Sequence, residues 1–453
     1  MACKLYRIGQ YDLFPGRRGI ADGEHKLFWV RDDESMTGRY PITFWGAPPI
    51  RHTNEQRYKE IAEAGFTLVT PPLREPERQL NAGSYEANIR ILDLCEQFGM
   101  KAIIEDSRMN LALEGKENWK IHLDGMVKDY QFHPALEGYY IFDEPDADMF
   151  EHLGGVNAYL QEIDPAHPGF MNLFPNYATA GQLGTPTYRE YVDRYAREVR
   201  PALLSYDHYV LFHKDNAERH LEIADERERL IFESNMKDDR PGFFDNIELI
   251  REVANERQLP FKVIILLVAH GRYSSATEAE LRWQVFLSLA YGASTISYFT
   301  YWTPFDEPVW NYRDAMVTWD GEITENYARV RDLNRELQLI GSLLLGHPSL
   351  AVYHVGEEKE QVTSFRPNDA IKEISGGSVA AGQFEGGYWL LVNKDYERPS
   401  EIALTLEEGV SAVRIDKRTG RETTVIQNDN SCHLTLQPGD AELLRMEGGG
   451  LIR

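Results

Sequence analysis

Short apolar segments alternate with longer amphipathic segments along the chain from residue 41 to about residue 345. The apolar segments are rich in β-branched and aromatic residues, which is typical of buried strands. They predict eight strands, at residues 41–46, 66–71, 101–106, 138–143, 168–174, 203–209, 261–269 and 294–301. Apolar residues at helical spacing predict helices at residues 54–64, 84–98, 119–130, 149–161, 187–199, 244–258, 277–291 and 327–344. Eight strand–helix units without a glycine-rich dinucleotide loop predict a (β/α)8 TIM barrel.

The pattern changes after Leu345. Strand-like segments become short and are separated by turns that contain Gly or Pro, which is typical of antiparallel sheets. These strands are predicted at residues 350–355, 378–384, 388–393, 401–406, 412–416 and 433–436. We therefore expect an N-terminal extension that packs on the barrel (1–40), a catalytic barrel (41–345) and a C-terminal antiparallel β-sandwich (346–453).

One connection within the barrel is long. Residues 210–242 follow the sixth strand and are mostly charged. Insertions between a strand and the next helix lie on the catalytic face of such barrels. A solvated helix is the default interpretation of this insertion, and a role in shaping the substrate site is the alternative.

Composition narrows the class of partner. The chain has 453 residues and a formal net charge of −24, and it shows no basic stripe, so we expect no nucleic-acid partner and disfavour a polyanionic substrate. The three cysteines, Cys3, Cys95 and Cys432, are far apart and predict neither a disulfide framework nor a metal site. The N-terminus lacks the apolar core of a signal peptide, and no segment approaches 18 apolar residues. We expect a cytoplasmic protein without a membrane partner.

The fourth predicted strand carries the most informative motif. Residues 138–145 read GYYIFDEP, so an apolar strand runs directly into Asp143 and Glu144 and is stopped by Pro145. Parallel α/β barrels place catalytic residues at the carboxyl ends of their strands. Glu144 beside Asp143 in an aromatic-lined cavity should have a raised pKa, because burial and like charge both disfavour ionisation.

Other predicted strands also end in polar residues that would meet at the same mouth. The candidates are Asp106 after strand three, Asn172 and Asn176 after strand five, Asp207 and His208 after strand six, and His270 after strand seven. Loop caps and ion pairs, for example with Arg108, explain Asp106 and Asp207 equally well.

Aromatic residues give a second signal. Trp45, Tyr177, Tyr301 and Trp302 lie at or just beyond strand ends. Sugar rings present apolar C–H faces that stack on such side chains, while their hydroxyl groups bond to Asp, Asn and His. Core packing is the alternative for each of them, and it is weaker for Trp45 and Trp302.

These motifs resemble those of the clan-A (β/α)8 glycoside hydrolases, in particular the β-galactosidase-like, family 42-like barrels of uncharacterised bacterial type. The resemblance covers roughly residues 40 to 345 and rests on the GYYxxDEP strand, on 172–177 (NLFPNY), on 205–209 (SYDHY) and on 298–304 (YFTYWTP). It implies that Glu144 is the acid/base glutamate and that Trp302 is a stacking residue. It also implies a bacterial hydrolase of carbohydrate metabolism.

The sequence departs from this family at two positions. Asp143 stands where the family usually has Asn, and the seventh strand ends in His270 where the family has its nucleophilic glutamate. We therefore expect the second carboxylate to be Asp207, with Asp106 and Glu233 in reserve. Asp143 would bind a sugar hydroxyl or orient Glu144, and His270 would hold a hydroxyl or Asp207, or be structural.

The leading hypothesis is a glycosidase that cleaves a small oligosaccharide or glycoside without a cofactor. A catalytically impaired barrel that only binds carbohydrate is the first alternative. A metal-dependent barrel using Glu105, Asp106, Asp207 and His270 is the second, although none of the tight ligand spacings of metal sites is present. Assembly into a homo-oligomer is left open.

Overall fold

The computed structural model describes residues 17–21, 27–31, 38–73, 83–115, 118–212, 241–305, 310–356, 360–425 and 430–448. Most of the predicted insertion, including Glu233, lies outside these residues, as does most of the N-terminal extension. Within that extension, β1 (Arg17–Ala21) and β2 (Leu27–Arg31) form an antiparallel pair that the sequence did not predict.

All eight predicted barrel strands are present, in the predicted order. They are β3 (Ile42–Trp45), β4 (Leu68–Val69), β5 (Lys101–Ile104), β6 (Leu136–Asp143), β7 (Gly169–Asn172), β8 (Leu204–Asp207), β9 (Phe261–Leu266) and β10 (Thr295–Phe299). Most are shorter than predicted, because several polar or aromatic residues at their carboxyl ends already belong to the loops.

The strands close into a parallel barrel. Two four-stranded halves, with the orders β4-β5-β6-β7 and β3-β10-β9-β8, are each joined by parallel ladders. Single bridges connect the halves at both seams, Ala47 to Pro72 and Leu173 to Tyr206. Because every neighbouring pair is parallel, the carboxyl ends of all eight strands meet at one face.

Within the described residues, ten α-helices cover or flank the barrel. They are α1 (Glu55–Glu63), α2 (Tyr85–Gln97), α3 (Ser107–Leu113), α4 (Lys120–Tyr130), α5 (Phe150–Ile163), α6 (Ala180–Leu183), α7 (Tyr188–Glu198), α8 (Phe243–Arg257), α9 (Glu278–Ala290) and α10 (Glu325–Leu344). Short 3₁₀ turns occur at Ile50–His52, Ala147–Met149 and Glu385–Gly387. No helix in the described part of the chain is long and apolar enough to cross a membrane.

Side-chain caps explain several helix starts. Ser84, predicted as a cap, accepts a hydrogen bond from the backbone N–H of Ala87. Thr277 and Glu280 form a reciprocal capping box at the start of α9. Such caps accept hydrogen bonds from backbone N–H groups that have no partner within the helix, so capping residues in the sequence indicate where these helices begin.

The C-terminal part folds as two antiparallel sheets. One has six strands in the order β11-β13-β14-β19-β16-β17, and the other has three in the order β12-β15-β18. The strands are β11 (Ser349–Val355), β12 (Ile371–Ser375), β13 (Val379–Phe384), β14 (Tyr388–Asn393), β15 (Ser400–Leu406), β16 (Val410–Ile415), β17 (Glu422–Val425), β18 (Ser431–Leu436) and β19 (Ala441–Gly448). The fold is thus a TIM barrel followed by a β-sandwich, as predicted; β12, β17 and β19 were not predicted.

The sandwich packs closely on the barrel. Gly382 in β13 lies against α9, where an added Cβ would come within 2.2 Å of the carbonyl oxygen of Ala290. Arg282 of α9 forms ion pairs with Glu336 of α10 and with Asp440 of the sandwich. A charged network and a continuous apolar core therefore join the two parts.

Candidate active site

A row of polar side chains crosses the inner wall of the barrel. Strand pairing places Asp143 of β6 beside Asn172 of β7, and Ser205 of β8 beside Lys262 of β9. The Ser205 hydroxyl donates a hydrogen bond to Asn172 Oδ1 over 2.8 Å, which joins the two pairs. Neighbouring residues in a parallel ladder point to the same face, so these four side chains share one surface.

Glu144 follows this row at the carboxyl end of β6. Its φ of 48° is in the left-handed region, and its backbone N–H donates to the carbonyl oxygen of Asn172 over 2.8 Å. A residue other than glycine in this conformation costs about 1–2 kcal/mol. Such backbone strain is common at functional sites. Pro145 then ends the strand, so Asp143 and Glu144 are fixed where the chain leaves the barrel.

Three carboxyl groups come together at this position. The Asn172 side chain is buried; its Nδ2 donates to Asp207 Oδ1 over 2.9 Å, and it also hydrogen-bonds Asp143. Asp207 is itself buried, and both aspartates act electrostatically on Glu144. One amide therefore orients the two aspartates beside the glutamate.

The environment gives these carboxyl groups different proton affinities. The pKa of Glu144 is raised to about 8. Burial is the largest cause, followed by the charge of Asp207 and then by the charge of Asp143. Burial raises the pKa of Asp143 to about 6, although the hydrogen bond from Asn172 and the charge of Lys262 oppose this rise. At neutral pH, Glu144 is mostly protonated and Asp143 is mostly ionised.

A cavity of about 410 Å³ opens beside these carboxyl groups. Its polar lining consists of Thr70, Glu105, Asn110, Asp143, Asn172 and Lys262. Its aromatic lining includes Trp45, whose ring meets Tyr140 edge to face at 5.8 Å between centroids. Asp143 is exposed and lines this cavity. Glu144 and Asp207 do not line the cavity but adjoin Asp143 and Asn172, which do.

His270 lies four residues beyond the seventh barrel strand, β9, at the position where the family resemblance implies a carboxylate. Its Nδ1 lies 3.0 Å from the carbonyl oxygen of Val268, to which it donates, and burial lowers its pKa to about 4. The ring stacks on Tyr312 at 5.4 Å and contacts Tyr209 edge to face. His270 is therefore a neutral member of an aromatic cluster at neutral pH.

The structure places Tyr301 and Trp302, which we predicted at the mouth, inside the protein. Both side chains are fully buried. Trp302 packs against His52 and beneath Arg57, and its indole N–H donates to the carbonyl oxygen of Trp319. They lie beyond the end of β10 and pack into the protein, so neither ring has a face open to a sugar.

Asp106, which we predicted to bind substrate, has partners within the protein. Its carboxylate caps α3 and accepts hydrogen bonds from the Arg108 guanidinium and from the Tyr130 hydroxyl. Although burial alone would raise it, these bonds lower the pKa of Asp106 below its ordinary value. The carboxylate is 2% exposed and does not line the cavity, so the ion-pair alternative describes it.

Asn176, Tyr177 and His208 form a separate polar cluster at the start of α8. Asn176 Nδ2 donates to the carbonyl oxygen of Gly242, and its backbone N–H donates to Asn246 Oδ1. His208 Nδ1 lies 3.1 Å from the same Asn246 oxygen, and Tyr177 meets the His208 ring edge to face. These contacts fix a helix start, and none of the three residues lines the cavity.

Sequence reasoning missed Lys262. This lysine lies inside the barrel wall and lines the cavity. The signal was available, because Lys262 is the one charged residue in the otherwise apolar segment 261–269 (FKVIILLVA). A charged residue in a strand that is buried on both faces calls for a specific reason.

The alternative set of metal ligands does not assemble. Among the described residues, the group of His, Cys, Asp and Glu side chains with ligand atoms within 4.8 Å of one another is Asp93, Glu96 and His133, at the protein surface. Glu105, Asp106, Asp207 and His270 do not form such a group in this part of the chain.

Comparison with known proteins identifies the fold. No protein-family model and no curated protein sequence matches the chain. Among solved structures, a β-galactosidase from Bacillus circulans sp. alkalophilus is similar with a TM-score of 0.58 and 10% identity, over 90% of this chain and 99% of that one. A family 42 β-galactosidase from G. stearothermophilus gives 0.55 and 10%, over 90% and 98%.

A family 5 glycoside hydrolase from Bacteroides vulgatus gives a TM-score of 0.50 and 12% identity, over 90% of this chain and 89% of that one. The similarity spans both the barrel and the sandwich, while the identity is too low to carry an activity across. The chain therefore has the fold of clan-A-like (β/α)8 glycoside hydrolases, as its sequence motifs predicted.

Proposed function

We propose that this protein is a glycoside hydrolase that acts on a small oligosaccharide or glycoside, with Glu144 as its general acid/base. One observation carries the proposal. At the carboxyl end of the fourth barrel strand, Glu144 adjoins Asp143 and Asp207, and burial together with these two charges raises its pKa to about 8. A general acid must be protonated at working pH and must lie near a second carboxyl group, and this pair of properties is what glycosidic cleavage requires.

The proposed reaction begins with proton transfer from Glu144 to the glycosidic oxygen. The bond between that oxygen and the anomeric carbon breaks as positive charge develops on the sugar. Asp207 either attacks the anomeric carbon, giving a glycosyl-enzyme that water hydrolyses with Glu144 as the base, or removes a proton from a water that attacks the anomeric carbon directly. Carboxyl separations of about 5 Å favour the first course, and separations of about 6.5–9.5 Å favour the second.

Asn172 serves this reaction by positioning. Its amide holds Asp207 at 2.9 Å and is itself held by the Ser205 hydroxyl at 2.8 Å. Asp143, which faces the cavity, is placed to bind a sugar hydroxyl and to add to the negative field that stabilises a developing positive charge.

A carbohydrate-binding barrel without catalysis is the second candidate. The observation that favours it is the neutral His270, which packs on aromatic rings just beyond the seventh strand, where the family resemblance implies a nucleophile. This candidate predicts that sugars stabilise the protein against heat without being cleaved.

The test compares wild type with Glu144→Gln on a panel of α- and β-linked disaccharides and aryl glycosides, followed by NMR. General acid catalysis contributes about 10²–10⁴ in rate, so the variant should lose at least that factor while keeping its fold. Glu137→Gln, in the same strand but away from the cavity, is the matched control and should retain activity.

Undiminished turnover by Glu144→Gln would remove this residue from the mechanism. Absence of product from wild type on every substrate, with some sugars still raising the melting temperature, would support the carbohydrate-binding alternative.

A further inference from the structure

Lys262 is a buried cation that faces the cavity. It is the second residue of β9, its side chain is 6% exposed, and it lines the cavity together with Asp143 and Asn172. An ammonium group offers three hydrogen-bond donors. Within the described part of the chain, the ammonium group of Lys262 makes no hydrogen bond, and its electrostatic partner is Asp143.

This arrangement is costly unless a ligand completes it. Burying a charged group without hydrogen bonds disfavours its charged form, and burial accordingly lowers the pKa of Lys262 to about 8, with the charge of Asp143 opposing the shift. Lys262 still carries its proton for most of the time at neutral pH. The N–H donors of Lys262 therefore face a cavity in which a bound ligand would supply the acceptors. Asp143 lies at the opposite end of the polar row.

The rest of the lining indicates what the acceptor is. Trp45, Tyr140 and Phe170 provide apolar surface of the kind that packs on sugar rings. Glu105 and Asp143 line the same cavity, so a carboxylate or phosphate on the ligand would meet two acidic groups for one cation. An uncharged hydroxyl group accepts a hydrogen bond from the ammonium without that repulsion.

We propose that Lys262 forms the floor of the sugar-binding site and donates a hydrogen bond to one hydroxyl group of an uncharged sugar whose apolar face packs on Trp45. This inference rests on the proposed function, because it assigns the cavity to the sugar that the enzyme would release. Lys262 is a specificity-determining residue in this account, and it takes no part in proton transfer.

The test is a binding cycle between Lys262 and individual hydroxyl groups. Methyl β-glycosides of D-galactose, D-glucose and D-mannose are titrated calorimetrically, and the tightest is replaced by its monodeoxy derivatives. For wild type, one deoxy position should weaken binding about 10- to 100-fold, since a hydrogen bond to a buried charged group is lost. In Lys262→Met the same deoxy position should cost less than about threefold, while the penalties at other positions stay unchanged.

Two controls separate this role from a structural one. Lys101→Met alters a lysine in another barrel strand that bonds to the carbonyl oxygen of Pro134 outside the cavity, and should leave every penalty as in wild type. Lys262→Met removes an ammonium group whose burial is itself unfavourable and keeps an unbranched side chain of similar length, so it should fold. Lys262→Gln provides a second variant whose folding is checked by circular dichroism.

Three results would overturn the inference. The first is that each deoxy position costs the same in wild type and in Lys262→Met. The second is that wild type binds none of the three sugars. The third is that wild type, through Lys262, binds the uronic acid glycoside that corresponds to the tightest sugar more tightly than the sugar itself. If the penalties are equal while Glu144→Gln still abolishes hydrolysis, the proposed function stands and only the role of Lys262 fails.

Discussion

Burial decides the ionisation of individual residues at this site more than hydrogen bonding does. Glu144 and Asp143 are consecutive, yet burial together with two neighbouring negative charges raises the pKa of Glu144 to about 8. The hydrogen bond from Asn172 and the charge of Lys262 oppose the effect of burial on Asp143, so its pKa rises only to about 6. Adjacent carboxyl groups can thus hold different protonation states at the same pH, which is the division that acid and base roles require.

The pH dependence of activity follows from these values. Glu144 must be protonated to act as the acid, so kcat/KM should fall above about pH 8, by about tenfold for each further pH unit. Measurement of kcat/KM from pH 5 to pH 10 checks this on any substrate that wild type cleaves. A profile that stays level to pH 10 would show that Glu144 is not the titrating acid.

At the scale of elements, the sequence predicted the barrel better than the ends of its strands. Apolar runs between helical segments located all eight strands because each run is buried on both faces. Where a strand stops depends on long-range contacts. Trp302 lies beyond β10 and packs on His52, which is distant in sequence, and no local pattern reveals that contact. The sequence shows Lys262 as a charge in an apolar strand, but its partner Asp143 comes from another strand of the closed barrel, so no local pattern reveals their interaction.

The contacts of Asp106 are a further case that no local pattern reveals, and they lead to a prediction about stability. Asp106 joins α3 to Tyr130 of α4 through hydrogen bonds, so its role is to hold two elements together. Asp106→Asn should lower the free energy of unfolding by about 2 kcal/mol, because it leaves Arg108 and Tyr130 with a weaker acceptor. Urea titration measures this loss.

Asp93→Asn, at an exposed carboxylate, is the control and should change stability by less than about 0.5 kcal/mol. If Asp106→Asn instead left stability unchanged and weakened substrate binding, the original prediction of a substrate contact would be restored.

At the scale of the whole molecule, the barrel and the sandwich form one packed body. The principal core includes residues of both, and Glu336 of α10 pairs with Arg282 of α9 and Arg418 of the sandwich. Glu336 is buried at a distance from the strand ends that carry the site, so its charge contributes to stability. Composition and periodicity predicted both the barrel and the sandwich, but the ion pairs that join them depend on residues far apart in sequence.

A prediction for the whole molecule follows from this network. Glu336→Gln should destabilise the protein by about 2–4 kcal/mol, because Arg282 would remain buried with one fewer anionic partner. Scanning calorimetry should show a single transition for wild type and a lower melting temperature for the variant. Two well-separated transitions in wild type would show that barrel and sandwich unfold independently.

The most direct test of Glu144 as the general acid is the dependence of the Glu144→Gln defect on the leaving group. A general acid matters when the departing oxygen is basic and matters little when it leaves readily as an anion. We predict a loss in kcat/KM of about 10²–10⁴ for a methyl glycoside or disaccharide, and a much smaller loss for the 2,4-dinitrophenyl glycoside of the same sugar. Equal losses on both substrates would contradict the assignment of Glu144 as the general acid.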